Sequence, residues 1–180
     1  VVASLAGRRI DAVDADPMRF PEAREDLVAA RIAATLTERG VTTLVCAAAC
    51  GSDLLALEAA QREGITSRIV LPYDAAEFRR SSVVDRGEAW GAAFDRLIAE
   101  AQARDGVRTL GLTVGDPHVY DKTNDAILDE ALTLAGNDPA GVIALAVWDG
   151  VIAGRADYTA NFTDAARARG IAVQSIPILQ

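Results

Sequence analysis

The stretch "LVCAAACGSDLLALEAAQREGITSRIVLPY", residues 44–73, decides the fold. It opens within an apolar, β-branched run, "TTLVCAA" at 42–48, which suits a buried strand. Its end runs into four small residues and a glycine, Ala47 to Gly51, and then "SDLLALEAA" has the composition of a helix. Gly64 closes that helix one or two residues before the next apolar run, "SRIVLPY" at 67–73. A strand, a helix and a second strand with no hairpin turn between them form a parallel crossover unit.

The same alternation extends in both directions. Further strand-like runs are "VASLAG" (2–7), "VRTLGLTV" (107–114), "VIALAVWD" (142–149) and "IAVQSIPI" (171–178). Helical stripes lie between them. Val28, Ile32 and Leu36 recur every four residues after "FPEARED", and Trp90, Phe94, Leu97, Ile98 and Ala101 make a second stripe. Ile127, Leu128, Ala131, Leu134 and Ala135 make a third, and Phe162, Ala165 and Ala166 a shorter fourth. Gly40 and Gly170 precede strands as Gly64 does. The segment 74–89, "DAAEFRRSSVVDRGEA", reads as irregular. The expectation is an α/β, Rossmann-like three-layer sandwich with a mainly parallel sheet of about six strands.

Bulk properties narrow the function. The 180 residues suit one domain spanning 1–180, and the expectation is a piece of a larger protein with a fused or associated effector domain. No apolar run reaches the roughly 18–20 residues needed to span a bilayer, and "VVASLAGRRID" turns polar at once, unlike a signal peptide. A cytoplasmic protein is expected. The net charge of −8 argues against duplex DNA or an anionic membrane as partner. Lys122 is the only lysine beside seventeen arginines, whose planar forks suit bidentate phosphate binding. Cys46 and Cys50 match neither a redox nor a zinc spacing, and His118 is the only histidine, so no metal is expected.

In open α/β sheets ligands bind beyond the carboxyl ends of the strands. The residues placed there are Gly7, Arg8 and Arg9 after the first strand, and Cys50, Gly51, Ser52 and Asp53 after the second. The small residues at 47–51 allow close backbone approach, and a helix starting at Ser52 aims its positive end at the same place. Tight strand–helix packing explains the same residues equally well. Asp53 suits either a ribose hydroxyl or simple capping of its helix. "FRRSS" offers Arg79, Ser81 and Ser82 from a mobile loop, and Trp148 and Asp149 end the fifth strand. There is no G-x-S-x-G elbow, P-loop or G-x-G-x-x-G pattern.

"LAGRRID" with "RFP", then "CAAACGSDLLALEAAQREGI", "IVLPYDAAEFRRSSV" and "VWDG" before a Thr-bearing helix start resemble the SLOG superfamily. This Rossmann-like domain is shared by DNA-processing Smf proteins, LOG cytokinin-activating phosphoribohydrolases and bacterial nucleotide-sensor modules. The resemblance covers nearly the whole chain and is closest to the versions in bacterial signalling proteins. It implies ligand contacts from Gly7, Arg8, Arg9, Cys50, Gly51, Ser52, Asp53 and Thr159. The sequence departs from the pattern at Arg8, where the family has His, and at Cys46-Ala47 in place of Ser-Gly. Asp157-Tyr158-Thr159 stands in place of Gly-Gly-Thr. "GRADYTANF" (154–162) lacks the glycines and catalytic Glu of the LOG P-G-G-x-G-T-x-x-E motif.

The expected function is therefore non-catalytic binding or sensing of a nucleotide or nucleotide-derived messenger, with no cofactor and with homo-oligomer formation open. The alternative is a nucleotide N-glycosidase of the LOG type, with Asp53, Glu58 or Asp149 as its acid. DNA binding in the manner of Smf proteins is disfavoured by the charge.

Overall fold

Residues with strand character that must bury both faces run as near-continuous apolar segments, and Val142–Trp148 is buried at its first six positions. The computed structural model describes residues 1–152 and 157–179, and in it this segment is the fifth of six strands. The strands are β1 (Val2–Gly7), β2 (Thr43–Cys46), β3 (Thr66–Leu71), β4 (Val107–Thr109), β5 (Val142–Trp148) and β6 (Ala172–Pro177). They form one sheet in the order β4-β3-β2-β1-β5-β6, and every pair is parallel. The chain thus moves outward from β1 to β4, returns across the sheet, and continues outward on the other side through β5 and β6. This is a Rossmann-like three-layer sandwich, and its topological switch point lies between β1 and β5.

The helices are α1 (Glu25–Glu38), α2 (Ser52–Arg62), α3 (Ala75–Ser82), α4 (Ala89–Gln102), α5 (Val119–Leu134) and α6 (Tyr158–Ala168). Alternation along each strand divides the core in two. Ala3, Leu5, Leu44, Cys46, Ile69, Leu71, Leu145 and Val147 face α1, α2 and α4 through Ile32, Leu57 and Phe94. Val2, Ala6, Val45, Val70, Val142 and Ala144 face α5 and α6 through Ile127, Leu128 and Phe162. Each helical stripe read from the sequence supplies one of these faces.

Three boundaries differ from the sequence reading. Segment 74–89 is not irregular: α3 occupies Ala75–Ser82, and a 3-10 turn follows at Val84–Arg86. The Asp74 carboxylate accepts the Glu77 N–H at 3.0 Å and caps α3. Only Phe78 and Ser82 of this helix are buried, so its apolar stripe is too thin to see in the sequence. Arg79, Ser81 and Ser82 accordingly sit on a helix, not on a mobile loop. β4 is cut to three residues as the chain turns at Gly111, φ 68°. α5 begins at Val119, eight residues before the stripe that announces it.

Replacing Asp74 by Ala is expected to cost about 1 kcal/mol in urea unfolding, the usual worth of an N-cap. An unchanged midpoint would remove the cap from the account of α3.

Candidate functional site

The small-residue junction first serves packing. β1 ends at Gly7, and a Cβ there would lie 2.6 Å from the Ser52 Cβ and 2.7 Å from the Val147 Cβ. Gly51 holds φ at 97°, and a Cβ on it would meet the Ile10 nitrogen at 2.5 Å. The two glycines bring the first turn of α2 directly against the chain leaving β1. The Ser52 N–H and hydroxyl both donate to the Arg8 carbonyl, at 3.2 and 2.7 Å, and the Ile10 N–H donates to the Cys50 carbonyl at 3.3 Å. The Cys50 N–H donates to Ser82 O, and the Ala49 N–H to the Asp53 carboxylate. Three amides of the anion cradle expected at this turn, those of residues 49, 50 and 52, are therefore already engaged within the protein.

Beside this junction, at the carboxyl ends of β1, β2 and β3, lies a cavity of about 250 Å³. Leu5, Ala6, Gly7, Ala47, Ala49 and Pro72 form its floor, and Phe78 and Ile127 its apolar flanks. Its polar lining comes from Arg9, Asp53 and Ser82 on one side and from Tyr120, Thr123, Asn124, Tyr158 and Thr159 on the other. Nine polar or charged residues are buried among the described residues, and four of them, Asp53, Ser82, Thr123 and Thr159, line this one cavity. A core segment would not gather that many buried polar groups around an open space without use for them. A larger depression of about 620 Å³ lies at the opposite ends of the strands, between α2 and α4, and none of its lining residues is a buried polar one.

Asp53 is the most informative member. It is 7% exposed, and among the described residues the one hydrogen bond its carboxylate accepts comes from the Ala49 N–H at 3.1 Å. Burial raises its pKa from the ordinary 3.8 to about 7, and the Ala49 amide and the Arg9 charge only partly offset this. Arg9 crosses to Asp85 and the Cys50 sulfur, while its Nε is buried without an acceptor. Burial pushes the Cys50 thiol up as well, against the pull of Arg9. The Tyr120 and Tyr158 rings meet at 5.0 Å between centroids and form an aromatic wall, and the Asn124 amide donates to the Tyr158 carbonyl at 2.9 Å.

A second cluster closes the β1–β5 end. Arg8 holds Asp157 through two bonds, at 3.0 and 2.7 Å, and reaches Asp149 at 3.2 Å and the Val151 carbonyl at 2.7 Å. Arg19 completes it on the other Asp149 oxygen at 2.9 Å. Burial works against the charge of Arg8, but Asp157 and Asp149 outweigh it and raise its pKa above the ordinary arginine value. The guanidinium also lies 5.9 Å from the Trp148 ring centre. Asp157 caps α6 at the same time, accepting the Thr159 and Ala160 amides at 3.1 and 3.0 Å.

The residues singled out from the sequence thus separate into groups. Gly7, Arg9, Asp53, Ser82 and Thr159 line the cavity, whereas Gly51 and Ser52 form the packing junction beneath it. Cys50 stands behind Arg9, and Ser81 bonds the Tyr73 hydroxyl and the Glu77 carbonyl. Arg8 and Asp149 are bound to each other. Arg79 turns away to Asp95 and Glu88, and Glu58 pairs with Arg96 on the outer face, so neither joins the cavity. His118 is exposed at the start of α5. Residues 154–156, which open "GRADYTANF", lie outside the described residues. The sequence reading missed Tyr120, Thr123 and Asn124. Their signal was the i, i+3, i+4, i+7 spacing of Tyr120, Thr123, Asn124 and Ile127 on one face of α5, legible only once the strand order lays α5 across the ends of β1 and β2.

No protein-family model matches the chain, and no curated protein matches it. Among the described residues no group of three His, Cys, Asp or Glu side chains is placed to hold a metal ion, and no helix is long and apolar enough to cross a membrane.

Two outcomes follow for stability. Gly51→Ala is expected to cost about 2 kcal/mol or more, since it adds both backbone strain and a clash with Ile10; a variant melting like the wild type would contradict the junction. Asp53 has a folded pKa above its unfolded one, so its protonated form favours folding. That contribution is complete below the unfolded value near 4 and is lost as pH rises through about 7. Asp53→Asn should therefore melt higher than the wild type at pH 8, with the difference fading by pH 4.

Proposed function

We propose that this protein binds a small molecule of the nucleotide class, base or nucleoside included, in the cavity beside Asp53, and that binding serves recognition rather than turnover. The observation that carries the reading is a nine-tenths-buried carboxyl with, among the described residues, one hydrogen-bond donor, lining a cavity at the carboxyl ends of the strands of a parallel sheet. A ribose hydroxyl or an exocyclic amine of a base supplies the donor such a group lacks. The Tyr120–Tyr158 wall offers a stacking surface for a heteroaromatic ring, and Asn124, Ser82 and Thr159 offer neutral polar contacts. The resemblance to SLOG domains points the same way. A bacterial signalling role, with the binding energy coupled to an effector domain, belongs to this reading.

A second reading has its own observation. Of the three carboxyls that could serve an N-glycosidase, Glu58 is paired on the outer face and Asp149 is held by Arg8 and Arg19, which leaves Asp53. A carboxyl titrating at about 7 is poised to act as a general acid on a departing base. Against this stands the lack, among the described residues, of a second carboxylate lining the cavity to stabilise the developing ribosyl cation.

Calorimetry with nucleobases, nucleosides, nucleotides and ADP-ribose derivatives separates these readings from each other and from failure. Binding by one of them, weakened about tenfold or more in Asp53→Asn, is the expected result. Release of free base during incubation, abolished in that variant, would replace recognition by hydrolysis. An absence of binding across the panel would overturn both.

A further inference from the structure

Resting on the nucleotide-class reading above, we infer that the preferred ligand is unphosphorylated, a nucleoside or free base. The reason is that Asp157, bound to Arg8 and to the first amides of α6, occupies the place where this crevice would otherwise hold a phosphate.

Next to the cavity, adjoining its lining residues Gly7, Tyr158 and Thr159, the fold has what an anion site needs: the N-terminus of an eleven-residue helix, and an arginine that follows β1. Both are already in use. The Asp157 carboxylate accepts the Thr159 and Ala160 amides, while Arg8 donates to it twice. The remaining Arg8 contacts go to Asp149 and the Val151 carbonyl. The side chains of Asp157 and Asp149 are 1% and 6% exposed, and with Arg8 and Arg19 they form a cluster of two positive and two negative charges. A phosphate entering here would confront two buried carboxylates and an Arg8 whose Nε, Nη1 and Nη2 all already donate to acceptors within the protein.

The other phosphate-like position is also taken, because the amides of residues 49, 50 and 52 at the start of α2 have internal acceptors. Arg9, the remaining cation at the cavity, spends its Nη2 on Asp85 and Cys50, and its Nε, buried without an acceptor, offers one N–H rather than the paired fork that grips a phosphate. What faces the space instead suits a neutral ligand rich in hydrogen-bonding groups. Among the described residues the Asp53 carboxyl has a single donor, the Ala49 amide, and Asn124, having given its amino group to Tyr158, offers its carbonyl oxygen as an acceptor. A volume of about 250 Å³ lies below the usual range for drug-sized ligands, which favours a small molecule over one carrying a phosphate chain.

The test is calorimetry with adenosine, guanosine, cytidine, uridine, their free bases and their 5′-monophosphates and 5′-diphosphates, on the wild type and Asp157→Asn. Asparagine still caps a helix, and a thermal melt verifies that the variant is folded. In the wild type at least one base or nucleoside should bind about tenfold more tightly than its phosphorylated form. In Asp157→Asn, with Arg8 relieved of one charge partner, that ratio should shrink or reverse. Equal or tighter binding of the phosphorylated form by the wild type overturns the inference. An unchanged ratio in the variant removes Asp157 as its cause. If no base, nucleoside or nucleotide binds, the nucleotide-class reading itself has failed.

Discussion

The contact on which the rest of the structure depends is the seating of the first turn of α2 against the chain leaving β1. Gly7 and Gly51 permit it, because a side chain at either position would overlap the facing segment. The Ser52 amide and hydroxyl lock it onto the Arg8 carbonyl. The geometry that follows decides where three functional side chains go. Arg8 and Arg9, adjacent in sequence, diverge to opposite ends of the crevice, one to Asp157 and Asp149 and the other to Asp85 and Cys50. Asp53, one residue into the helix, is brought over the cavity floor.

The electrostatic character of the crevice comes from carboxylates of the chain itself. At α6 the Asp157 carboxylate takes the position that helix geometry would offer to an external anion. At α2 the Asp53 side chain turns back to the Ala49 amide, while burial drives its pKa to about 7. A chain of net charge −8 has thus placed its own acids at two helix N-termini that would otherwise present open amides. This accounts for a polar, ligand-sized space without a basic patch.

Much of this architecture was legible in the sequence. Six apolar β-branched runs separated by helical stripes specify a parallel sheet covered on both faces, and each of the six strands falls within two residues of the start read from its run. What stayed hidden had physical causes. α3 is eight residues long, buries only Phe78 and Ser82 and owes its start to the cap at Asp74, so it has one large apolar side chain and no repeating stripe of them. The contributions of Tyr120, Thr123 and Asn124 depend on the strand order, which a sequence without partner contacts does not encode locally. The arginines were legible as cations but not as cations already paired: Arg79 and Arg8 read alike in the sequence, and their acids come from 16 and from 141 and 149 residues away.

The central claim is that the space beside Asp53 is the binding site and that the state of this carboxyl is tied to occupancy. Its titration can be followed directly by carbon-detected NMR of the side-chain carboxyl, with and without a saturating nucleoside. The account predicts a midpoint near 7 in the free protein, about three units above the ordinary aspartate value, and a displaced midpoint when the ligand is present. A midpoint near 4, unmoved by every base, nucleoside and nucleotide offered, would contradict it.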